Sequence, residues 1–210
     1  GFGAVTADTK GTANFEDDTF YLNNEKLINI PNPDNDPEKE NLYKLKNYRY
    51  IKIKRNIEGN AIKSWEITNE DGSKQVYGSV DNAISYVISK GDWIGNVFAG
   101  GTDLTPTAWH IYKQIDLFGN SITYEYDKIK ENLVYSGWTS TYPYTKTIYP
   151  KKVIDSIGRE IVFNKGDKKR EEYYDPYPFD EPDSYMEFYE DKYLTDIVVR
   201  NKNQDGTLSD

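Results

Sequence analysis

The sequence contains no cysteine. That absence removes disulfides, thiolate zinc sites, iron–sulfur clusters and cysteine nucleophiles together. Histidine occurs once, at His110, which excludes multi-histidine metal sites and any triad with a second imidazole in reserve. No apolar run approaches the ~18 residues needed to cross a bilayer as a helix. Positive charge is short as well: 26 Lys and Arg face 35 Asp and Glu, a formal net charge of −9. Nucleic acid and anionic membrane surfaces would repel such a chain, so neither is its expected partner. The sequence also lacks a glycine-rich phosphate loop with lysine, a serine elbow and a nucleotide-binding β-α-β pattern. Gly1 to Asn14 shows no charged-then-apolar signal pattern, and a chain starting at Gly1 reads as an excised piece or a processed product.

What is abundant is tyrosine, with 19 residues in 210. Aromatic and β-branched side chains suit a pleated surface, and a tyrosine sheet can bury its rings while its hydroxyls reach water or backbone. The mean hydropathy of −0.82 resembles that of disordered chains, but those are poor in aromatics, which here make up 15%. A chain of this length can bury a core without a metal or disulfide.

Apolar residues recur at period two along most of the chain, broken by turn residues. Asn23-Asn24 separates Phe20-Tyr21-Leu22 from Leu27 to Ile30, and Asn69 to Gly72 separates Trp65-Glu66-Ile67 from Val76-Tyr77. Pro31 to Glu40 reads as a loop, as does Gly91 to Pro106. Ile84, Val87 and Ile88 would share a helical face, which predicts one short helix over 81–88 with Asp81 at its N-cap. The expected fold is all-β: an extended, curved, hairpin-rich antiparallel sheet. A flexible segment over residues 1–17 precedes the β region at 18–206, which holds an acidic, proline-broken loop at 171–183, and residues 207–210 form a tail.

Three turns share a frame without gaps: Asn56-Ile57-Glu58-Gly59, Asp116-Leu117-Phe118-Gly119 and Asp155-Ser156-Ile157-Gly158, each with Ile three residues after the glycine. The Asx side chain can cap the turn, glycine accepts a positive φ, and Ile restarts the buried face. Any antiparallel sheet that reuses one turn would produce the same frame. The irregular spacing of the three glycines excludes a fixed-period solenoid. The middle copy continues through Asn120, Tyr124, Tyr126 and Asp127, and this stretch resembles the D-x-x-G-N-x-x-x-Y-x-Y-D signature of YD/RHS-repeat proteins. Trp65 to Gly72 with Val76-Tyr77-Gly78 and Trp109, Asp18 to Leu27, and Tyr193 to Val199 are similar, in order, to segments of the SpvB/TcB family. That family comprises the virulence-plasmid SpvB proteins and the B component of bacterial insecticidal Tc toxin complexes. The opening Gly-Phe-Gly and the acidic loop depart from its pattern.

The resemblance implies a secreted, non-enzymatic wall segment of a hollow β-shell that encloses a toxic polypeptide. Its partners would be the rest of a larger RHS/TcB-like chain, or a TcC-like partner and its cargo, with no cofactor, nucleic acid or membrane insertion. Exposed strand edges would favour self-association. The rival readings are an extracellular carbohydrate-binding or adhesin domain stacking sugars on Trp138, Tyr142 and Tyr144, and a glycoside hydrolase built on the acidic loop. His110 lies next to Trp109 on an expected strand. If Trp109 faces the core, His110 faces the opposite side as a surface or cross-strand residue, with no second His or Cys to make it catalytic. Asn201, Asn203, Asp205 and Gly206 mimic the start of a calcium loop, but a polar turn after a strand explains them.

Overall fold

The computed structural model describes residues 2–9, 15–47, 50–59, 61–88, 104–135, 138–139, 143–172, 186–203 and 207–209. Among them the regular structure is strand, apart from three single 3-10 turns at Pro37–Lys39, Asp81–Ala83 and Arg170–Glu172. β1 (Ala4–Asp8), β2 (Thr19–Leu22), β3 (Glu25–Asn29), β4 (Leu42–Leu45), β5 (Lys52–Glu58), β6 (Ala61–Thr68) and β7 (Lys74–Gly78) pair in succession, all antiparallel. β8 (Ile84–Ile88) pairs with β9 (Leu104–Ile115), and β9 also pairs with both β7 and β1. The first seven strands and β9 therefore form a closed barrel, which leaves no free edge in that circuit.

The sheet continues beyond the barrel. β10 (Ser121–Glu131) pairs with the C-terminal end of β9, and a small hairpin of β11 (Val134–Tyr135) and β12 (Trp138–Thr139) follows. Next come β13 (Tyr144–Asp155), β14 (Glu160–Asp167), β15 (Lys192–Lys202) and β16 (Leu208–Ser209), in that spatial order after β10. The molecule is all-β, with a barrel at one end and a curved antiparallel sheet at the other. β9 serves both: its N-terminal half pairs with β1 and β8, its C-terminal half with β7 and β10.

Period-two patterning explains the barrel core. Phe20, Tyr43, Trp65 and Trp109 point inward, and the Trp65 ring meets those of Phe20, Tyr43 and Trp109 at centroid distances of 4.9, 5.1 and 5.9 Å. Val5, Ile53 and both tryptophans are fully buried, and each such side chain contributes about 2–3 kcal/mol of burial. The Trp109 indole N–H donates to the Ile62 carbonyl at 3.1 Å. Arg55, 5% exposed, lies against the Phe15, Phe20 and Tyr43 rings and bonds Asn41 and Glu16.

Several expectations are corrected here. The N-terminal segment is not simply flexible, because β1 completes the barrel with Val5 wholly buried. Residues 84–88 form β8 rather than a helix, and Asp81 caps nothing; Val80 is the residue at the N-cap, without a side-chain bond. The loop expected to run to Pro106 gives way to β9 at Leu104. Within the expected tail, β16 pairs with β15. The turn at Asn23-Asn24 is as expected, and both residues have positive φ, at 49° and 68°.

Candidate functional site

Four hairpin ends fall on one rim of the sheet, joining β6 to β7, β9 to β10, β13 to β14 and β15 to β16. Strict antiparallel alternation along the strand order puts them on the same side. Their first residues are Asn69, Asp116, Asp155 and Asn203, and their fifth are Ser73, Asn120, Arg159 and Thr207. In each, the backbone N–H of the first residue donates to the carbonyl of the fifth, at 2.9, 2.9, 3.1 and 2.7 Å respectively. Gly72, Gly119 and Gly158 occupy the fourth position of the first three hairpins with φ of 81°, 85° and 89°. Each of these is a type I turn closed by a left-handed glycine.

The first and fifth side chains also pair across the turn. Asn69 Nδ2 donates to Ser73 Oγ at 3.0 Å, Asn120 Nδ2 to Asp116 Oδ2 at 2.8 Å, Arg159 Nε to Asp155 Oδ2, and Asn203 Nδ2 to Thr207 Oγ1 at 3.0 Å. Asp116 Oδ1 accepts from the N–H groups of Phe118 and Asn120, and Asp155 Oδ1 from those of Ile157 and Arg159. The Asn120 amide, with the backbone N–H groups, holds the Asp116 carboxyl below the usual carboxylate range. At Asp155 desolvation opposes the charge, but the Arg159 guanidinium and the two N–H groups outweigh it in the same direction.

Asn56 does not belong to this set. The β5–β6 ladder runs past it to Glu58↔Ala61, so Asn56 sits inside a strand, where its amide donates to Ser64 Oγ at 3.2 Å. Gly59 does take a positive φ of 62°, but in a different hairpin at the opposite end of the strands. The frame was mis-anchored by its third element, an Ile three residues after glycine. Gly59 satisfies that condition, whereas Gly72 is followed by Gln75 and Gly206 by Ser209. A polar residue follows every one of these glycines, Gly59 included, so strand pairing and not the turn frame separates Asn56 from the set.

The Tyr-x-Tyr-Asp continuation of the middle hairpin stitches strands together. Tyr124 donates to Gln114 Oε1 at 3.1 Å and Tyr126 to the Ile111 carbonyl at 2.6 Å, both on β9. On the other side, the Asp127 carboxylate takes an ion pair at 3.0 Å from Lys165 of β14, whose ammonium also donates to the Pro150 and Phe163 carbonyls. These three side chains fasten β9, β10, β13 and β14 into one unit.

Between the first three rim hairpins opens a cleft of about 520 Å³. Asn69, Gln75, Gln114, Asn120, Asp155 and Arg159 contribute polar groups to it, and Ile115, Ile122 and Ile157 contribute apolar wall. Leu117, Phe118 and Ile157 at the turn tips are exposed, Phe118 to 89%. The Leu117 side chain lies 2.8 Å from where a Cβ on Gly72 would stand, so adjacent tips are in contact.

Of the proposed sugar-stacking aromatics, Tyr144 is described, and it is buried. Tyr144 is 2% exposed, and its hydroxyl accepts the Glu187 N–H at 2.8 Å. Tyr149 likewise accepts the Lys192 N–H at 3.1 Å. The Trp138 side chain and Tyr142 lie outside the described residues, as do residues 173–183 of the acidic loop. Glu171 and Glu172 stand in a 3-10 turn. Asn203 is engaged in its hairpin, and no group of three or more metal-ligating side chains occurs among the described residues.

No protein-family model matches the sequence, and no curated protein sequence matches it. Solved structures do. The N-terminal domain of the effector protein SpvB from Salmonella typhimurium strain LT2 superposes with a TM-score of 0.63 at 12% identity, over 99% of this chain and 79% of that one. This chain has the fold of the SpvB N-terminal domain. The TcdB2–TccC3 structure matches over 99% of this chain with a TM-score of 0.58 and 12% identity, and the Photorhabdus luminescens Tc holotoxin pore over 97% with 0.55 and 13%. The present chain spans 12% and 11% of the length of those two Tc toxin chains.

In this SpvB-type fold the single histidine has a structural setting. Trp109 points into the barrel and His110 points away from it, onto the ring of Tyr126 at 5.5 Å, with its Nε2 3.2 Å from Ser85 Oγ. Burial, with the nearby Lys128 ammonium, pushes the imidazole down to about 4, so it is neutral at pH 7. The Lys128 side chain is only 1% exposed, lies over the Tyr86 ring at 4.3 Å and donates to Asp81 Oδ1 and to the Asp81 carbonyl. Lys130 holds the other oxygen of the same carboxylate at 3.0 Å.

Proposed function

We propose that this chain is a wall segment of a secreted bacterial toxin carrier of the SpvB and Tc type, and that the shell it helps to form encloses a toxic polypeptide. The role is structural rather than catalytic. The cargo would be supplied by the remainder of a larger chain or by a TccC-like partner. The observation that carries this reading is the whole-length match of barrel and sheet to the SpvB domain and to the TcdB2–TccC3 structure. The physical design supports it: β-strands bonded edge to edge make a wall whose backbone groups are satisfied by neighbours, and stitches such as Tyr126 and Asp127 to Lys165 brace it across strands. The chemistry available for an enzyme is thin, since the one histidine is neutral and packed against Tyr126. The adhesin reading is weakened by Tyr144, whose ring is buried.

The test is to sequence the reading frame around this segment, express it whole, and digest the product with a broad protease. A frame or neighbouring gene that continues into further Asx-x-x-Gly hairpins, with a protease-protected internal polypeptide, supports the proposal. A frame that stops nearby, with a product that binds immobilised oligosaccharides, overturns it in favour of the adhesin.

A further inference from the structure

The rim cleft contains two hydrogen-bonding groups that the fold itself does not use. Gln75 of β7 and Gln114 of β9 are direct cross-strand partners, so their side chains stand side by side on one face of the sheet. Each carboxamide oxygen is taken by a phenol: Tyr77 donates to Gln75 Oε1 at 3.0 Å and Tyr124 to Gln114 Oε1 at 3.1 Å. The Gln75 orientation is fixed from further back. Asn23 Oδ1 accepts the Ala4 N–H at 3.0 Å, and the Asn23 side chain hydrogen-bonds the Tyr77 hydroxyl, which directs the phenol proton to Gln75. Both Nε2 groups therefore turn toward the cleft, and neither has a hydrogen-bond partner among the described residues.

The remaining lining decides what such a pair of donors would receive. The Asp116 and Asp155 carboxylates are engaged within their own turns, Arg159 offsets Asp155, and Lys74 is paired with Glu66. Asp116 keeps a charge that only neutral N–H groups hold, which disfavours an anionic guest. Among the described residues no aromatic ring lines the cleft, which removes the stacking surface that sugars use, and Ile115, Ile122 and Ile157 form apolar walls. We infer that this cleft binds an uncharged, extended peptide segment, whose backbone carbonyls accept from Gln75 and Gln114 and whose small apolar side chains rest on the three isoleucines. The inference stands on the geometry of the cleft and does not depend on the carrier role.

The test follows the side-chain NH2 resonances of Gln75 and Gln114 by NMR while the protein is titrated with a blocked alanine–valine pentapeptide, with cellotetraose, and with acetate. Movement of both NH2 signals with the peptide alone is expected. The discriminating variant is Gln75→Glu with Gln114→Glu, because a glutamate oxygen still accepts the tyrosine O–H while the N–H donors are gone. Peptide affinity should fall by about tenfold or more, with the backbone amide spectrum otherwise unchanged. Unmoved NH2 signals at millimolar peptide, a response to cellotetraose or acetate instead, or equal binding by the double variant would each overturn the inference.

Discussion

Acidification isolates the contribution of His110. In the unfolded chain the imidazole titrates near 6.5, while in the barrel burial and Lys128 hold it down to about 4. The folded state thus prefers the neutral ring, and protons bind the unfolded state first as pH falls. Stability from this residue is complete above pH 6.5 and declines as pH drops from 6.5 towards 4, after which its slope vanishes. A displacement of that size corresponds to about 3 kcal/mol, a large fraction of the total stability of an ordinary domain. The carboxylates of Asp116 and Asp155 are shifted down, so their protonation falls below this window and does not obscure it. Urea unfolding of the wild type and of His110→Gln at intervals from pH 7 to pH 4.5 measures the difference directly. The wild type should lose about 2–3 kcal/mol more than the variant over that range, and the variant should be the more stable protein at the acid end. Parallel curves would refute the assignment, and would mean that burial, with the Lys128 ammonium, does not hold the imidazole neutral.

Three further outcomes are expected. Gly72→Ala should destabilise more than Gly119→Ala in thermal melts: both leave a left-handed residue, worth about 1 kcal/mol, but only at Gly72 does the new Cβ meet Leu117. Asp81→Ala strands a buried ammonium and should cost about 2–3 kcal/mol by urea unfolding, whereas Lys128→Met at the same pair should cost less, because it removes the charge along with its partner. Tyr126→Phe leaves the buried Ile111 carbonyl unpaired and should cost about 1–2 kcal/mol, while Tyr193→Phe on the exposed β15 should leave the melting temperature unchanged.

The legible parts of the sequence were those governed by local chemistry. Two asparagines that tolerate positive φ marked the β2–β3 turn, and Asp116 with Gly119 marked the β9–β10 turn, because turn geometry is set by a few adjacent residues. The alternation around Trp65 and Trp109 was readable because those strands face a core on one side only. β8 was misread because Ser85, Tyr86 and Val87 are all half-covered, so period two left no trace there. Barrel closure was invisible for a different reason. Ala4↔His110 joins residues more than a hundred positions apart, and Ala-Val-Thr-Ala-Asp carries too little apolar signal to announce a closing strand. The paired glutamines were missed altogether, since a cross-strand neighbour depends on register, and register is a property of two strands rather than one.

β9 belongs to two structures at once, and that has a mechanical consequence. A strand shared by a closed ring and an open sheet offers no plane along which the two can separate without shearing its own hydrogen bonds. A pull on β14 or β10 reaches the ring through the three residue pairs that join β10 to β9. Such a joint behaves as a weld rather than a hinge, so the angle between ring and sheet is fixed by the ladder itself and needs no linker to hold it.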